Sequence, residues 1–370
     1  MIYLDYNATT PIDPRVAEAM MPYIRSEYGN PSSSHALGTR AKNAVEESRA
    51  KVAALLACKP DEIVFTSGGS ESNNYIIRGV ATAYKTKGNH IITSQVEHPS
   101  VLNPCKYLES LGYQVSYAPV DKYGMVRVDD IERLISDKTI LVTIMHANNE
   151  TGTIQPIGEI AKVCKKQGVL LHTDAAQSIG KIPVSVDDLG VDFLTVAGHK
   201  LYAPKGIGAA FVRGGITIEP LIHGAGHESG RRAGTENVVF DAALGKACEI
   251  AGIEITNNGV RELTDYFYHK LKEKFKDTIR LNGHPTQRLP NTLNIGFLGH
   301  DGHEILDNLN DVAASTGSAC HSGLTTISPV LKAMGTDEGA ARGAIRFSLG
   351  RFTTREEIDT AIEKLVGILL

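Results

Sequence analysis

The chain has 370 residues, 42% of them hydrophobic and 22% charged, the composition of a globular protein with about two domains of roughly 150 residues. Its 38 Lys and Arg against 42 Asp and Glu leave a formal net charge of −4, which argues against a surface that binds nucleic acid or anionic lipid. The five cysteines are odd in number and include no Cys-x-x-Cys pair. This argues against disulfides and a zinc ribbon, and predicts a reducing, cytoplasmic environment.

The N-terminal residues lack the basic and apolar segments of a signal peptide, and no apolar run reaches the roughly 18 residues of a membrane-spanning helix. Short β-branched runs then alternate with helical patterns, which predicts an α/β fold with a mostly parallel, seven-stranded sheet flanked by helices. The predicted strands are 62–66, 90–94, 114–118, 140–146, 169–173, 193–197 and 207–212. The predicted helices between them include 71–84, 99–111, 128–135 and 157–167.

The pattern changes after about residue 238. Two long helices are predicted at 238–253 and 260–275, followed by short strands at 292–295, 312–315 and 344–348. Thr353 and Glu356 have the spacing of a capping box at the start of a last helix. We therefore predict a large α/β domain over 14–255 and a small α+β domain over 256–370. The small domain also includes the N-terminal segment 1–13 and carries the loop of Cys320.

The segment Thr66-Ser67-Gly68-Gly69-Ser70-Glu71 follows a predicted strand and opens a helix. Glycines allow close backbone approach, and a helix N-terminus offers free N–H groups, so the segment suits a phosphate. The alternative is a simple strand-to-helix turn with Ser70 as the cap. Neither this segment nor Gly206-Ile207-Gly208 has the form of a dinucleotide or Walker loop.

Asp174 and Lys200 each follow a buried strand, at the edge of the sheet where open α/β folds bind ligands. Taken singly, Asp174 could be a turn cap and Lys200 a solvated lysine. Together with the phosphate site they are what pyridoxal phosphate requires, namely an imine-forming lysine, a carboxylate for the pyridine nitrogen and an anion site. The pair therefore predicts a pyridoxal-phosphate enzyme.

Two further strand ends add candidate groups at the same edge. His98 follows the strand 90–94 and either stacks on a planar cofactor or starts a helix before Pro99. Asn149, within Asn148-Asn149-Glu150, follows the strand 140–146 and could bind cofactor or substrate.

Cys320 lies among small and polar residues beside His321, which suits an accessible thiolate, although an incidental loop thiol is the alternative. The other four cysteines lie in helical patterns and are expected to be packing thiols. Arg346 interrupts an apolar strand and needs a carboxylate partner, from the protein or from a substrate.

In these segments the sequence resembles the cysteine desulfurases of the NifS/IscS kind, which are pyridoxal-phosphate enzymes of fold type I in the class-V aminotransferase family. The resemblance extends over nearly the whole chain in the family's order. The segments that carry it are 3–11, 65–72, 97–98, 145–150, 174–178, 198–200, 231–235, 317–320 and 346–350.

The resemblance implies that Lys200 holds the cofactor as an imine, that Asp174 pairs with the pyridine nitrogen, and that His98 stacks on the ring and shuttles protons. It also implies other cofactor contacts: Gln177 and Asn149 at the ring oxygen, and Gly69, Ser70 and His199 at the phosphate. Thr235 would reach the phosphate of a partner subunit, which requires a homodimer.

For the substrate, the resemblance implies that Arg346 and Asn149 bind the carboxylate of L-cysteine. Cys320 would take the sulfur as a persulfide while alanine leaves, and would pass it to a protein such as an iron–sulfur scaffold. No intrinsic metal site is expected, although Cys320 could ligate a transient iron–sulfur cluster.

The sequence departs from the family at three places. Ala197 stands where a phosphate-binding Ser is frequent, Ser70 stands where Thr is common, and Thr325-Thr326-Ile327 replaces a frequent Leu-Glu-Pro. The alternatives are a selenocysteine lyase or another fold-type-I aminotransferase, neither of which requires Cys320 in this role. A third alternative is a scaffold protein that binds the cofactor and docks partner proteins without catalysing a reaction.

Overall fold

The computed structural model describes residues 1–255, 259–317 and 327–370. Its strands are β1 Ile2–Tyr3, β2 Ile63–Thr66, β3 His90–Ser94, β4 Gln114–Ala118, β5 Thr139–Thr143, β6 Leu170–Asp174, β7 Phe193–Ala197, β8 Gly208–Val212, β9 Ile279–Asn282, β10 Thr292–Phe297, β11 Val312–Ala313 and β12 Ala344–Ser348. Its α-helices are α1 Pro14–Arg25, α2 Ala36–Leu56, α3 Gly69–Ala83, α4 Pro99–Ser110, α5 Val128–Leu134, α6 Ile157–Gln167, α7 Val186–Leu189, α8 Val238–Glu254, α9 Val260–Phe275, α10 Gly302–Asn308, α11 Pro329–Ala333, α12 Glu338–Arg342 and α13 Arg355–Leu369. None of these helices is long and apolar enough to cross a membrane.

A seven-stranded sheet in the order β2-β8-β7-β6-β5-β3-β4 forms the centre of the fold. Strands β7, β6, β5, β3 and β4 pair in parallel, whereas β8 runs antiparallel to both of its neighbours. The predicted mostly parallel sheet is therefore confirmed. Every residue of β2, β3, β5, β7 and β8 is buried, because helices cover both faces of the sheet.

One strand ends earlier than the sequence indicates. Strand β5 stops at Thr143 rather than at His146. The Met145 N–H is taken by the Glu97 carboxylate at 3.0 Å instead of by a neighbouring strand. The chain then turns at Asn148, whose Oδ1 accepts the N–H groups of Glu150 and Thr151.

The C-terminal part of the chain builds a second, smaller layer. A three-stranded antiparallel sheet has the order β12-β10-β9, and β1 pairs with β11 in parallel. Helices α9 and α13 contribute to its core, which contains Phe267, Phe347, Leu293 and Leu365. This core is distinct from the cluster beneath the large sheet, which supports the division near residue 255; the division itself stays a prediction.

The capping box of α13 is displaced by one residue from the predicted position. Thr354 caps the N–H of Glu357, and the Glu357 carboxylate accepts the N–H of Thr354 at 3.0 Å. Thr353 is used differently, since its Oγ1 accepts the N–H of Gly350 at 3.0 Å in the preceding turn. The strands β1 and β9 and the helices α1 and α2 are not among the elements predicted from the sequence patterns.

We predict that Phe267→Ala lowers the free energy of unfolding by about 3–5 kcal/mol, because it leaves a cavity in the C-terminal core. Phe267 is fully buried and packs edge-to-face on Phe347, with ring centroids 5.1 Å apart. Urea denaturation followed by circular dichroism measures the change. Tyr28→Ala, at a residue that is 78% exposed, is the control and should cost less than about 0.5 kcal/mol. Equal losses in the two variants would contradict the prediction.

Candidate active site

The carboxyl ends of β3, β5, β6 and β7 open onto a cavity of about 770 Å³. Parallel strands place the residues that follow them at one edge, so positions far apart in sequence meet there. The cavity brings together nine of the predicted site residues: Gly69, Ser70, His98, Asn149, Asp174, Gln177, His199, Lys200 and Arg346.

The first turn of α3 forms one wall of the cavity. Gly68 has a φ of +146°, a conformation for which glycine is required, and it turns the chain from β2 into the helix. The first N–H groups of the helix have no intrahelical acceptor and carry the positive end of its dipole. Ser70 lies within the helix and Gly68 is the cap residue, so the alternative role of Ser70 as the cap is wrong.

The amine of Lys200 is held beside the N-terminal segment. Its Nζ donates to the carbonyl oxygens of Asn7 at 2.5 Å and Ala8 at 2.7 Å. Burial, followed by the positive charge of Arg346, lowers the pKa of Lys200 to about 8, while Asp5 and Asp174 oppose that shift. About a tenth of Lys200 is therefore unprotonated at pH 7, far more than for a lysine with the ordinary pKa of about 10.4, and the unprotonated amine is the nucleophilic form.

Asp174 is the last residue of β6 and is buried. Its Oδ2 accepts from Asn73 Nδ2 at 2.8 Å, and its Oδ1 accepts the N–H of Ala176 at 3.0 Å. A carboxylate has about four acceptor positions, so Asp174 can accept a further donor from the cavity.

A chain of hydrogen bonds joins Asp174 to His98. Asn73 Nδ2 also donates to Ser100 Oγ at 2.8 Å, and Ser100 Oγ lies 2.7 Å from His98 Nδ1. His98 Nδ1 also accepts the backbone N–H of Ser100 at 3.1 Å, so a neutral ring carries its proton on Nε2. His98 is thus the cap residue of α4, its alternative structural role, and also lines the cavity.

His199 and Gln177 line the floor of the cavity. His199 Nδ1 lies 3.2 Å from Thr9 Oγ1. Burial, together with the neighbouring cationic groups, lowers the pKa of His199 to about 4, so its ring is neutral at pH 7. Gln177 Nε2 donates to the Asn7 carbonyl at 3.0 Å, while Gln177 Oε1 accepts from Lys181 Nζ at 2.7 Å.

Arg346 lies on β12 and brings a buried guanidinium to the side of the cavity opposite α3. Its Nη2 pairs with Asp5 at 2.7 Å, and its Nη1 donates to the Asn149 carbonyl at 3.1 Å. The buried Nε–H has no partner among the described residues. The sequence expectation that Arg346 needs a carboxylate partner is met by Asp5.

Cys320 lies outside the described residues, in the interval between Gly317 and Ile327. Residues on both sides of this interval contact Glu150. Ser328 Oγ donates to Glu150 Oε2 at 2.5 Å, and a methyl group placed on Gly317 would lie only 2.6 Å from the same oxygen. Glu150 directly follows Asn149, so this carboxyl group connects the cavity wall to both flanks of the interval.

The other four cysteines behave as packing residues. Cys105, Cys164 and Cys248 are buried, and Cys58 is partly buried. Burial raises the pKa of each of these thiols to about 12, so they are protonated and weakly nucleophilic at neutral pH.

Thr235 does not line the main cavity. It is exposed and lines a smaller neighbouring cavity of about 210 Å³, which also contains Arg232 and Asp241. The two cavities share Ser67, Gly206 and Ile207 as lining residues. A contact from Thr235 to a partner subunit stays a prediction.

Some residues of the site are absent from the sequence-based assignment. Asn73 lies four positions after Gly69 on α3, and that helical spacing could have placed it on the same face. Asn7 and Lys181 can be assigned to the site only from the tertiary structure. The N-terminal segment contacts the turn after β6 there, and the two residues that bond to each other are distant in sequence.

The groups present fit pyridoxal phosphate. The cavity has an unblocked helix N-terminus for a phosphate, a buried carboxylate with spare acceptor positions, an imidazole on its wall and an amine of lowered pKa. Gly69 leaves little spare room, because a methyl group there would lie 3.3 Å from Ala197 Cβ. The small Ala197 is therefore compatible with the close approach of α3 to β7.

We predict that Glu150→Gln flattens the pH dependence of stability between pH 4.5 and 7. Burial raises the pKa of Glu150 to about 7, although Ser328 and Arg346 oppose the shift. In this interval the folded protein keeps a proton that the unfolded chain releases, so stability falls as pH rises. The difference between the pKa of about 7 in the folded protein and the ordinary value of 4.5 corresponds to a loss of up to about 3 kcal/mol in the free energy of unfolding.

Urea unfolding of the wild type and of Glu150→Gln at pH 5 and pH 7 measures this effect. The other buried titrating groups are common to both proteins, so they cancel in the comparison. Identical losses of stability between the two pH values in both proteins would contradict the assigned pKa.

Comparisons with known proteins identify the family of this chain. The family model for class-V aminotransferases matches residues 2–361. A cysteine desulfurase IscS of Dictyoglomus turgidum is 48% identical over 372 residues, covering all of this chain and 94% of that protein. The solved structure of a NifS-like protein superposes with a TM-score of 0.93 at 39% identity, covering 100% of this chain and 99% of that one.

A second solved structure, of SspA in complex with cysteine, has a TM-score of 0.86 at 37% identity, covering 96% of this chain and 100% of that one. The sequence identities extend over whole chains, and the fold and the cavity groups agree with them. The chain therefore belongs to the cysteine desulfurases of the class-V aminotransferase family, which are pyridoxal-phosphate enzymes.

Proposed function

We propose that the cavity binds pyridoxal phosphate and L-cysteine, and that Cys320 receives the sulfur as a persulfide while alanine is released. The observation that carries the proposal is the convergence of Lys200, Asp174 and Arg346 on one cavity. These residues supply an amine of lowered pKa, a buried carboxylate and a buried guanidinium. A relative solved with cysteine bound supports the choice of substrate.

In this proposal Gly69, Ser70 and His199 would hold the cofactor phosphate at the first turn of α3. Asp174 would hold a proton on the pyridine nitrogen, because a buried carboxylate stabilises a positive charge beside it. His98 covers the ring, and Gln177 with Asn149 contacts the ring oxygen. The bound group supplies an electron sink for the α-carbon of the substrate.

Arg346 and Asn149 orient the substrate through its carboxylate. Arg346 lines the cavity, and charge-assisted bonds of guanidinium to carboxylate are strong. Lys200 would move a proton at the α-carbon of the substrate, a role for which an amine with a pKa of about 8 is suited.

The Cys320 thiolate then attacks the sulfur of the substrate. An S–S bond forms as the C–S bond breaks, and the electron pair of the broken bond goes to the carbon side, which is protonated to give alanine. The properties of the other four cysteines support the choice of Cys320. Burial raises the pKa of each of their thiols to about 12, so they are poor nucleophiles at neutral pH.

Three further features belong to this proposal. The persulfide passes to an acceptor protein such as an iron–sulfur scaffold, where Cys320 could transiently ligate a cluster. The enzyme works as a homodimer, in which Thr235 reaches the phosphate site of the partner subunit. It acts in the cytoplasm, where Cys320 begins each cycle as a reduced thiol.

We predict that Cys320→Ser abolishes formation of alanine and persulfide from L-cysteine, while pyridoxal phosphate remains bound. A hydroxyl in place of the thiol cannot accept sulfur by this route, whereas the cofactor contacts are untouched. Alanine is measured by chromatography and persulfide by alkylation and mass spectrometry. Cys58→Ser is the matched control and should keep full activity. Unchanged alanine formation by Cys320→Ser would instead favour a lyase reaction, in which no thiol of this residue takes the sulfur.

We predict that pyridoxal phosphate reacts covalently with the cofactor-free protein at a rate that rises with pH and levels off above a midpoint near 8. Only the unprotonated amine attacks an aldehyde, and the pKa of Lys200 is lowered to about 8. Stopped-flow absorbance gives the rate, and borohydride reduction followed by peptide mapping gives the site. A midpoint near the ordinary lysine value of about 10.4, or labelling elsewhere, would contradict the assignment.

A further inference from the structure

Lys181 lies four residues after Gln177, in the turn that follows β6, and it has no place in the reaction described above. Although the residue as a whole is partly buried, its amine end is enclosed by protein. Its Nζ donates to Gln177 Oε1 and to Asn7 Oδ1, both at 2.7 Å. No carboxylate pairs with it among the described residues.

Both acceptors of Lys181 are amide oxygens whose orientation is fixed by further bonds. Asn7 Oδ1 also accepts from Asn291 Nδ2 at 3.0 Å, and Asn7 Nδ2 donates to Thr292 Oγ1 at 2.9 Å. The Asn7 amide therefore cannot exchange its oxygen and nitrogen without breaking bonds on both sides. Lys181 is anchored on this fixed oxygen and presents its remaining N–H to Gln177.

The side-chain amide of Gln177 has two ends of similar shape, of which the oxygen accepts hydrogen bonds and the nitrogen donates them. With Oε1 facing Lys181, its Nε2 faces the Asn7 carbonyl at 3.0 Å and has a second N–H for the cavity that Gln177 lines. An ammonium only donates and an amide N–H cannot accept, so the reversed amide would set two donors against each other at a protonated Lys181. It would also set two oxygens against each other at the Asn7 carbonyl.

Burial, followed by the positive charges of Lys200 and Arg346, lowers the pKa of Lys181 well below its usual value. An ammonium has three N–H groups and no lone pair, whereas a neutral amine has two N–H groups and one lone pair. Either form can donate to Asn7 and Gln177 at once. Only the neutral form could accept from a reversed amide, and the Gln177 oxygen would then face the Asn7 carbonyl oxygen.

We propose that Lys181 is a positioning residue that fixes the amide of Gln177, so that its Nε2–H, and not its oxygen, faces the ring oxygen of the cofactor. The inference rests on the proposed function, in which Gln177 contacts that oxygen. A donor there stabilises the ionised ring oxygen, whereas an amide oxygen would repel it. Lys181 thereby acts on cofactor binding without touching the cofactor.

The test uses the cofactor-free protein titrated with pyridoxal phosphate. Lys181→Met keeps the length of the side chain and removes its donors. It should raise the dissociation constant of pyridoxal phosphate about 5- to 30-fold, the equivalent of one to two kcal/mol for a hydrogen bond to a charged group. It should also raise the pH at which the absorption of the bound cofactor changes. Lys181→Arg, which keeps its donors, should recover part of both effects.

A double-mutant cycle separates positioning of Gln177 from a general structural role. Gln177→Leu removes the amide, so Lys181→Met made in that background should change the dissociation constant by less than about twofold. Circular dichroism and urea unfolding of each cofactor-free variant check the fold. Lys166→Met, at a largely exposed lysine beside Glu132, is the control and should bind pyridoxal phosphate as the wild type does.

Three outcomes overturn the inference. The first is a Lys181→Met protein with unchanged affinity and absorption, and the second is an equally large loss of affinity in the Gln177→Leu background. The third is a Lys181→Met protein that fails to fold, together with a folded Lys181→Arg protein that binds pyridoxal phosphate no better than Gln177→Leu. Failure of the wild type itself to bind pyridoxal phosphate would overturn the proposed function instead.

Discussion

The backbone carbonyl of Asn7 is the point on which the active-site geometry depends. This single oxygen accepts from Lys200 Nζ and from Gln177 Nε2. Since Asn7 is buried and its own N–H donates to Ser348 Oγ of β12 at 2.8 Å, the carbonyl is held by the C-terminal layer. The two residues it orients follow β6 and β7 of the large sheet. The N-terminal segment thus joins the two layers at the reacting groups.

That junction also sets the electrostatics of the cavity. Lys200 and Arg346 come from different layers, and their proximity contributes to the lowered pKa of Lys200. Asp5, in the same N-terminal segment as Asn7, pairs with Arg346 at 2.7 Å and partly offsets the repulsion. A buried cation costs free energy unless it is paired or bonded. The N-terminal segment that positions the Lys200 amine therefore also lowers the free-energy cost of burying the Arg346 guanidinium.

Hydrogen-bond networks behind the cavity wall also orient the side chains that line the cavity. Asp174 reaches His98 through Asn73 and Ser100, and each of these links has a defined donor and acceptor. Glu97 lies behind His98, and its carboxylate accepts from Ser94 Oγ at 2.6 Å and from the Met145 N–H. Burial raises the pKa of Glu97 to about 8. Because an unmatched polar group is expensive in a buried site, these second-layer residues restrict each side chain at the cavity to one orientation.

Much of the fold and of the site could be predicted from local sequence. Alternation of β-branched runs and helices indicates a parallel sheet, and the rule that ligands bind at the carboxyl edge of such a sheet brought Asp174, Lys200 and His98 together as candidates. Boundaries were less predictable. Strand β5 ends at Thr143 because a distant carboxylate takes the Met145 N–H, and the cap of α13 is Thr354 because Thr353 is used by Gly350.

The sequence alone determined the class of sheet, the residues that follow its strands and the chemical groups available for a cofactor, because these depend on patterns within short segments. Tertiary structure decided how the groups are oriented and charged. The pKa of Lys200 depends on burial and on Arg346, which is 146 residues away in sequence, and the amide of Gln177 is oriented by contacts with Asn7 and Lys181. Such effects arise from desolvation and hydrogen bonding between distant segments, and no local pattern records which segments will meet.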